Sequence, residues 1–280
     1  MQAENERKLK LILGKVVTIE AGKVIYEFRD PLGAGDVYFI IAGMIKMECV
    51  LSTDHSLQYY LQPGSVFGLE ETLDSEARIS RAVAIEKVML FKWSRSNFYQ
   101  AANDSRNLAI VTIKSLSRLI RILNAGYSEL LGHGSPADAV LTEDNRLGEI
   151  DLSIGSSFRV ESHHHLRRTF RDKQVLIKEG DIQKHVFWLL SGEVFVTKNV
   201  AGKLKVLATL GKGELIGEMS FFDKCLTSAT VIAKGDVQAM VFSKKNFKEI
   251  FFKNRKWVKQ LLLSLSRRVT LMVRKFYKVK

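Results

Sequence analysis

Along most of this chain, hydrophobic residues come in short β-type runs separated by polar turns. Val24–Glu27, Val37–Ile41, Met44–Leu51 and Ser56–Leu61 form one set, rich in Val, Ile, Leu and aromatic residues. Val175–Lys178, Val186–Leu190, Glu193–Lys198 and Lys203–Leu210 form a second. Gly180-Asp181, Ser191-Gly192, Ala201-Gly202 and Gly211–Gly213 punctuate the second set as turns. Several short strands with regular turn signals predict a β-sandwich or barrel-like roll. The period changes twice to that of a helix. Leu108, Val111, Leu116, Leu119, Ile120 and Leu123 share one helical face. Ile250, Trp257, Val258, Leu261, Leu265, Val269, Met272 and Phe276 share another. Each stripe predicts a helix that packs on its own roll or pairs with another helix, a homodimer included.

The two sets are copies of one plan. A shift of 149 places aligns Gly43 with Gly192, Leu61 with Leu210, Gly64 with Gly213 and Gly68 with Gly217. The same shift carries Asn97-Phe98 onto Asn246-Phe247 and Ser115–Arg118 onto Ser264–Arg267. Such a period is too long for a solenoid unit and suits a duplicated domain. Copy one has two extra residues around Pro31–Gly35. The predicted domains are 1–131 and 161–280, joined by a connector at 132–160 that holds Gly132–Pro136 and the acidic pair Glu143-Asp144.

Charge separates the halves. Residues 1–150 carry 17 Lys/Arg against 19 Asp/Glu, whereas residues 151–280 carry 26 against 11, out of a net charge of +13. Residues 251–280 hold ten basic residues and no acid. They lie between the apolar positions of the last helix, which predicts an amphipathic helix with a cationic face. Such a face over Lys253–Lys280 suits an acidic protein partner or the phosphates of nucleic acid. The alternative is a solvated surface. No apolar run approaches the ~20 residues that cross a bilayer, and Met1–Lys10 is too polar for a signal peptide. Two cysteines make no disulfide framework, which points to the cytoplasm.

Val175–Asp181, then Phe187–Val194, then Gly213-Glu214-Leu215-Ile216-Gly217-Glu218-Met219-Ser220 resemble the cyclic-nucleotide-binding domain of catabolite activators and protein kinase A regulatory subunits. The resemblance implies a mainly β fold with helices: two tandem β-rolls of jelly-roll type, each followed by C-terminal helices. It implies a phosphate-binding cassette in which glycine admits the ligand, a glutamate accepts from the ribose 2′-hydroxyl, and an arginine nine residues later neutralises the phosphate. Neither copy holds the full set. Copy two keeps Gly217 and Glu218 but has Thr227 at the arginine position, with Ser228 and Thr230 beside it and Lys224 as the nearest cation. Copy one has Gly68 and Arg78, with Arg81 three residues on, but Leu69 replaces the glutamate, and Glu70 stands one place late. By these residues copy one is the better anion site and copy two the better ribose site.

The expected ligand is a cyclic nucleotide (cyclic AMP, cyclic GMP or a cyclic dinucleotide) or a related nucleotide. The expected role is a non-enzymatic regulator. Loss of ligand in both copies, leaving interaction domains, is the competing reading. No Walker loop, Gly-x-Ser-x-Gly elbow or His-Glu-x-x-His is present. His163-His164-His165 lacks the spacing of a metal site, so no metal is expected. No helix-turn-helix domain is expected after the last helix.

Overall fold

A computed structural model describes residues 14–31, 36–50, 56–69, 77–133, 166–200, 202–223, 225–250 and 255–276. The chain divides into two compact units: 1–119 with 262–280, and 120–261. Most of the connector, the triple histidine, Glu70 and Lys224 lie outside the described residues.

The first roll is built from β1 (Lys15–Ile19), β2 (Val24–Tyr26), β3 (Asp36–Ala42), β4 (Ile45–Val50), β5 (Ser56–Leu61), β6 (Val66–Phe67), β7 (Ser80–Ala84) and β8 (Val88–Ser94). They form two four-stranded antiparallel sheets, ordered β1-β8-β3-β6 and β2-β7-β4-β5. Alternation selects the buried face. Ile45, Met47 and Cys49 point inward from β4, and Ser80, Ala82 and Ala84 from β7. Two helices close the copy. Ser94 caps α1 (Arg95–Asp104) by accepting from the Asn97 amide. Ser105 ends α1 and starts α2 (Arg106–His133), with its hydroxyl accepting from Leu108 N at 3.3 Å.

The second roll comprises β9 (Arg167–Phe170), β10 (Val175–Ile177), β11 (His185–Val200), β12 (Lys203–Leu210), β13 (Leu215–Ile216), α3 (Glu218–Asp223) and β14 (Thr230–Ser243), then α4 (Lys244–Ile250) and α5 (Arg255–Phe276). Here all strands join one six-stranded sheet. The turn expected at Ser191-Gly192 does not end a strand. β11 runs through it against β14, with register shifts at Leu189/Ser191 and Ser191/Glu193. A bulge bends a strand while pairing resumes on both sides. Lys234 Nζ reaches Glu193 Oε2 across the pair at 2.9 Å, next to this bend.

The last helix is buried over more of its circumference than its apolar stripe predicts. On α5, Val258, Leu261, Leu262, Leu265, Val269, Met272 and Val273 are buried, but so are Ser264, Ser266 and Thr270. The small hydroxyl residues lie inside with the apolar stripe. Of the basic residues whose side chains are described, Lys259 and Arg274 are exposed, while Arg267 and Arg268 are half-buried. At helical spacing Lys259, Arg267 and Arg274 share the exposed side of the described stretch with Gln260, Leu263 and Leu271, so the cations there are interrupted by apolar residues. Burial around most of the circumference marks a core helix rather than a surface one.

Candidate functional site

The two rolls place one glycine at the same point. Gly68 follows β6 with φ +82°, and Gly217 follows β13 with φ +81°. A Cβ on Gly68 would lie 2.6 Å from the carbonyl oxygen of Asp36, the first residue of β3. One on Gly217 would lie 3.0 Å from Ile177 Cδ1 and 3.1 Å from the carbonyl of His185, the first residue of β11. Both the dihedral and the close approach require glycine. The next residue turns inward in both copies. Leu69 is 1% exposed and Glu218 is 2% exposed. One interior position thus holds an apolar side chain in the first roll and a carboxylate in the second.

The backbone around Arg78 and Thr227 is also shared. Arg29 N donates to Arg78 O at 3.0 Å, and Arg78 N to Asp30 O at 2.9 Å. Gly180 N donates to Thr227 O at 3.0 Å, and Thr227 N to Asp181 O at 2.9 Å. The side chains diverge. Arg78 is buried. Its Nη1 donates to Gly68 O at 3.0 Å and its Nη2 to Asp36 O at 2.9 Å. Its guanidinium lies 4.2 Å from the centre of the Tyr26 ring. Tyr38 and Phe67 stack at 5.0 Å, and each lies just over 6 Å from Tyr26. The Tyr38 hydroxyl donates to the Asp36 carboxylate at 3.4 Å, and Lys92 Nζ reaches that carboxylate at 2.7 Å. Burial, with Asp36 close by, pushes the Tyr38 hydroxyl up to about 12.

By strand register, Ile177 stands where Tyr26 does, because Tyr26 pairs with Ala82 and Ile177 with Val231, 149 places on. The same shift puts Phe187, Ile216 and Thr227 at the places of Tyr38, Phe67 and Arg78. Where the first roll has an arginine among Tyr26, Tyr38 and Phe67, the second has a threonine, with Ile177, Phe187 and Ile216 at the matching places. The Thr227 hydroxyl lies 2.5 Å from Lys178 O and 3.2 Å from Asp181 O, and accepts from Asp181 N at 3.0 Å. Thr230 Oγ1 accepts from Glu179 N at 3.0 Å. Ser228 is half-buried.

Arg81 does not join Arg78. Its guanidinium pairs with Glu27 at 2.9 Å and Glu48 at 3.4 Å and is 37% exposed. Sequence reasoning missed Tyr26 and Asp36, which hold Arg78: the two-residue insertion hides the alignment of Tyr26, and Asp36 acts through its backbone carbonyl, which no side chain signals. It also passed over Glu214, which is 3% exposed and accepts from Gly211 N at 2.9 Å. Its signal was the Gly213-Glu214 pair. In the first roll a small cavity is lined by Leu61, Val66, Phe67 and Leu69, with Ser115 and Leu116 of α2. Among the described residues no cluster of His, Cys, Asp or Glu could hold a metal ion. No helix among them is long and apolar enough to cross a membrane.

The family model of the cyclic nucleotide-binding domain matches residues 16–105 and 167–254. The "Cyclic AMP receptor protein" of Thermus thermophilus is 29% identical over 100 residues, 35% of this chain and 43% of that protein. The "cAMP-dependent protein kinase regulatory subunit" of Mucor circinelloides f. lusitanicus is 31% identical over 78 residues, 28% of this chain and 18% of that protein. The matched stretches thus span less than half the length of either relative. Among solved structures, a cAMP-bound PfPKA-R fragment aligns over 91% of this chain and 83% of its own, at 18% identity and a TM-score of 0.35.

Proposed function

Because the chain belongs to the cyclic nucleotide-binding domain family, with one matched copy in each half, we propose that it is a non-enzymatic regulator. In this reading a cyclic nucleotide or related ribose-bearing ligand enters a β-roll cassette. Occupancy then shifts the packing of the helices that follow, and through them a partner contact changes. The ligand must favour one packing for any signal to pass. The observation that carries the reading is the Gly217-Glu218 pair. The glycine is held against the start of β11, and the next side chain puts a carboxylate, 2% exposed, at the position that the family uses for ribose. In this reading Gly68 and Arg78 in the first copy, and Thr227, Ser228 and Thr230 in the second, complete the cassettes, while Arg81, paired with Glu27 and Glu48, stands apart. Working boundaries of 1–131 and 161–280 enclose both matched stretches.

Thermal unfolding against cyclic AMP, cyclic GMP, cyclic dinucleotides, linear nucleotides and nucleosides tests this. A ligand bound only by the folded chain stabilises it by about 2.7 kcal/mol at a hundredfold excess over Kd. At least one compound should raise the midpoint. A flat result across the panel overturns the ligand reading.

One observation favours the second reading, a ligand-free interaction scaffold. Arg78 and Thr227 already bind their own chain. In that case the basic second half would dock an acidic protein or nucleic acid, or the terminal helices would form a homodimer. Retention on DNA that falls steeply with salt and ignores nucleotides would mark the nucleic-acid version.

A further inference from the structure

The outer strands of the two rolls carry different charge. Among the described strands β5 pairs only with β4, and β12 only with β11, so each ends its sheet. β5 (SLQYYL) has no charged residue, and the charges beside it offset one another: Arg81 pairs with Glu27 and Glu48, and Lys46 with Glu48. β12 (KLKVLATL) has Lys203 and Lys205. Register sets Lys205 directly opposite Lys198 and Lys203 opposite Val200, with Asn199 and Leu204 between. Alternation therefore puts the three lysines on one face of the hairpin and Leu204, 60% exposed, on the other. Lys198 and Lys205 are half-buried, and Lys203 is exposed. Among the described residues no hydrogen bond or ion pair reaches the three ammonium groups. Glu179 comes close to the hairpin but accepts from the Asn199 amide, at 3.4 Å.

Like charges directly opposite on paired strands are destabilising. Lysines on an edge also keep neutral and basic strands away. The same charge favours an acidic strand, whose carboxylates offset the lysines across the pair. A strand laid against β12 has the same side-chain period of two. Its alternate residues stand about 6.6 Å apart, as Lys203 and Lys205 do. Acids at alternate positions then meet the lysine face, and the residues between them lie on the face of Leu204. A nucleic-acid strand would bring charge to the lysines but no main-chain partners for the edge. We infer that the Lys203–Val206 edge takes up an extended acidic peptide of a partner protein as an added strand. Main-chain hydrogen bonds supply affinity, and Lys198, Lys203 and Lys205 select carboxylates at alternate positions. This surface specifies the partner contact proposed above and does not depend on a ligand in either cassette.

Fluorescence polarisation of labelled peptides with the full chain, without nucleotide, tests this. A Glu-Val-Glu-Val-Glu peptide should bind at least roughly tenfold more tightly than its form with Gln for Glu. Methylation of its alternate main-chain amides, which removes ladder donors and keeps the charge, should weaken it by roughly the same factor. Lys203→Glu with Lys205→Glu should abolish that binding and admit a Lys-Val-Lys-Val-Lys peptide, with the midpoint of unfolding retained. The Gln and methylated peptides make the test on the unaltered chain. Equal binding of the Gln form overturns selection by the lysines, and equal binding of the methylated form overturns strand addition. Unchanged binding to the charge-reversed chain overturns this surface. A single-stranded oligonucleotide that binds more tightly than the peptide, and is lost in the same reversal, makes the partner a nucleic acid and overturns the peptide. No binding by any peptide overturns the proposal and leaves the cassette reading standing, since no nucleotide enters the experiment.

Discussion

Arg78 shows how one residue changes meaning with its surroundings. By its place in the motif it is expected to meet a phosphate. In the fold its guanidinium bridges the carbonyls of Gly68 and Asp36 under the Tyr26 ring. It ties the end of β6 to the start of β3, a structural use that the local motif could not reveal. Arg78→Ala would leave two interior carbonyls without these donors and open a void. We expect a loss of about 2–5 kcal/mol in urea unfolding. Arg78→Lys, which keeps the charge but not the fork, should lose about 1–3 kcal/mol. A loss below about 0.5 kcal/mol in both variants would show that the bridge contributes nothing. The Thr227 position was equally legible as a departure from the motif. That its hydroxyl serves the β10 turn was not, because its partners lie 46 to 49 residues away.

Among the elements, the short β6 and β13 strands and the glycines after them set the cassette geometry. Both glycines occupy the left-handed region, so an alanine is strained at either, by about 1–3 kcal/mol. What a new methyl meets then separates them. At Gly68 it meets a backbone carbonyl at 2.6 Å, which cannot move without moving β3. At Gly217 it meets the end of the flexible Ile177 side chain at 3.0 Å and a carbonyl at 3.1 Å. Gly68→Ala should therefore cost at least about 1 kcal/mol more than Gly217→Ala. Denaturant midpoints of the two variants in equal order would contradict the geometry. The strands themselves were readable from alternation, since side chains facing opposite ways must differ when one face is buried. The continuity of β11 through Ser191-Gly192 was not readable. A bulge and a turn share residue types, and only the β14 partner distinguishes them.

For the whole molecule, alkaline pH is a direct probe of the first unit, which contains both Tyr38 and Tyr99. Burial lifts both hydroxyls to about 12. An unfolded tyrosine loses its proton near pH 10. Below pH 10 both states are protonated, so stability is unaffected. Between pH 10 and 12 the unfolded state alone ionises, and stability falls, by at most about 3 kcal/mol for each tyrosine. Denaturation at pH 9, 10 and 11 should show this decline, and Tyr38→Phe should make it shallower. An unchanged slope in that variant would remove Tyr38 as a cause.

Alternation, one constant repeat spacing and the paired glycines were enough to determine two β-rolls with closing helices, because they are local or periodic properties of the chain. The cassette residues, too, were legible as positions. What each of them touches was decided by tertiary structure. Packing turned Arg78 toward its own backbone and gave Thr227 to a distant turn. It buried both Glu214 and Glu218, and with them the hydroxyl side of the last helix. These outcomes depend on which strands meet across 40 or more residues. The charge of a side chain can be read from its letter, but whether that charge faces solvent, a ligand or the protein's own carbonyls is fixed only when the rolls close.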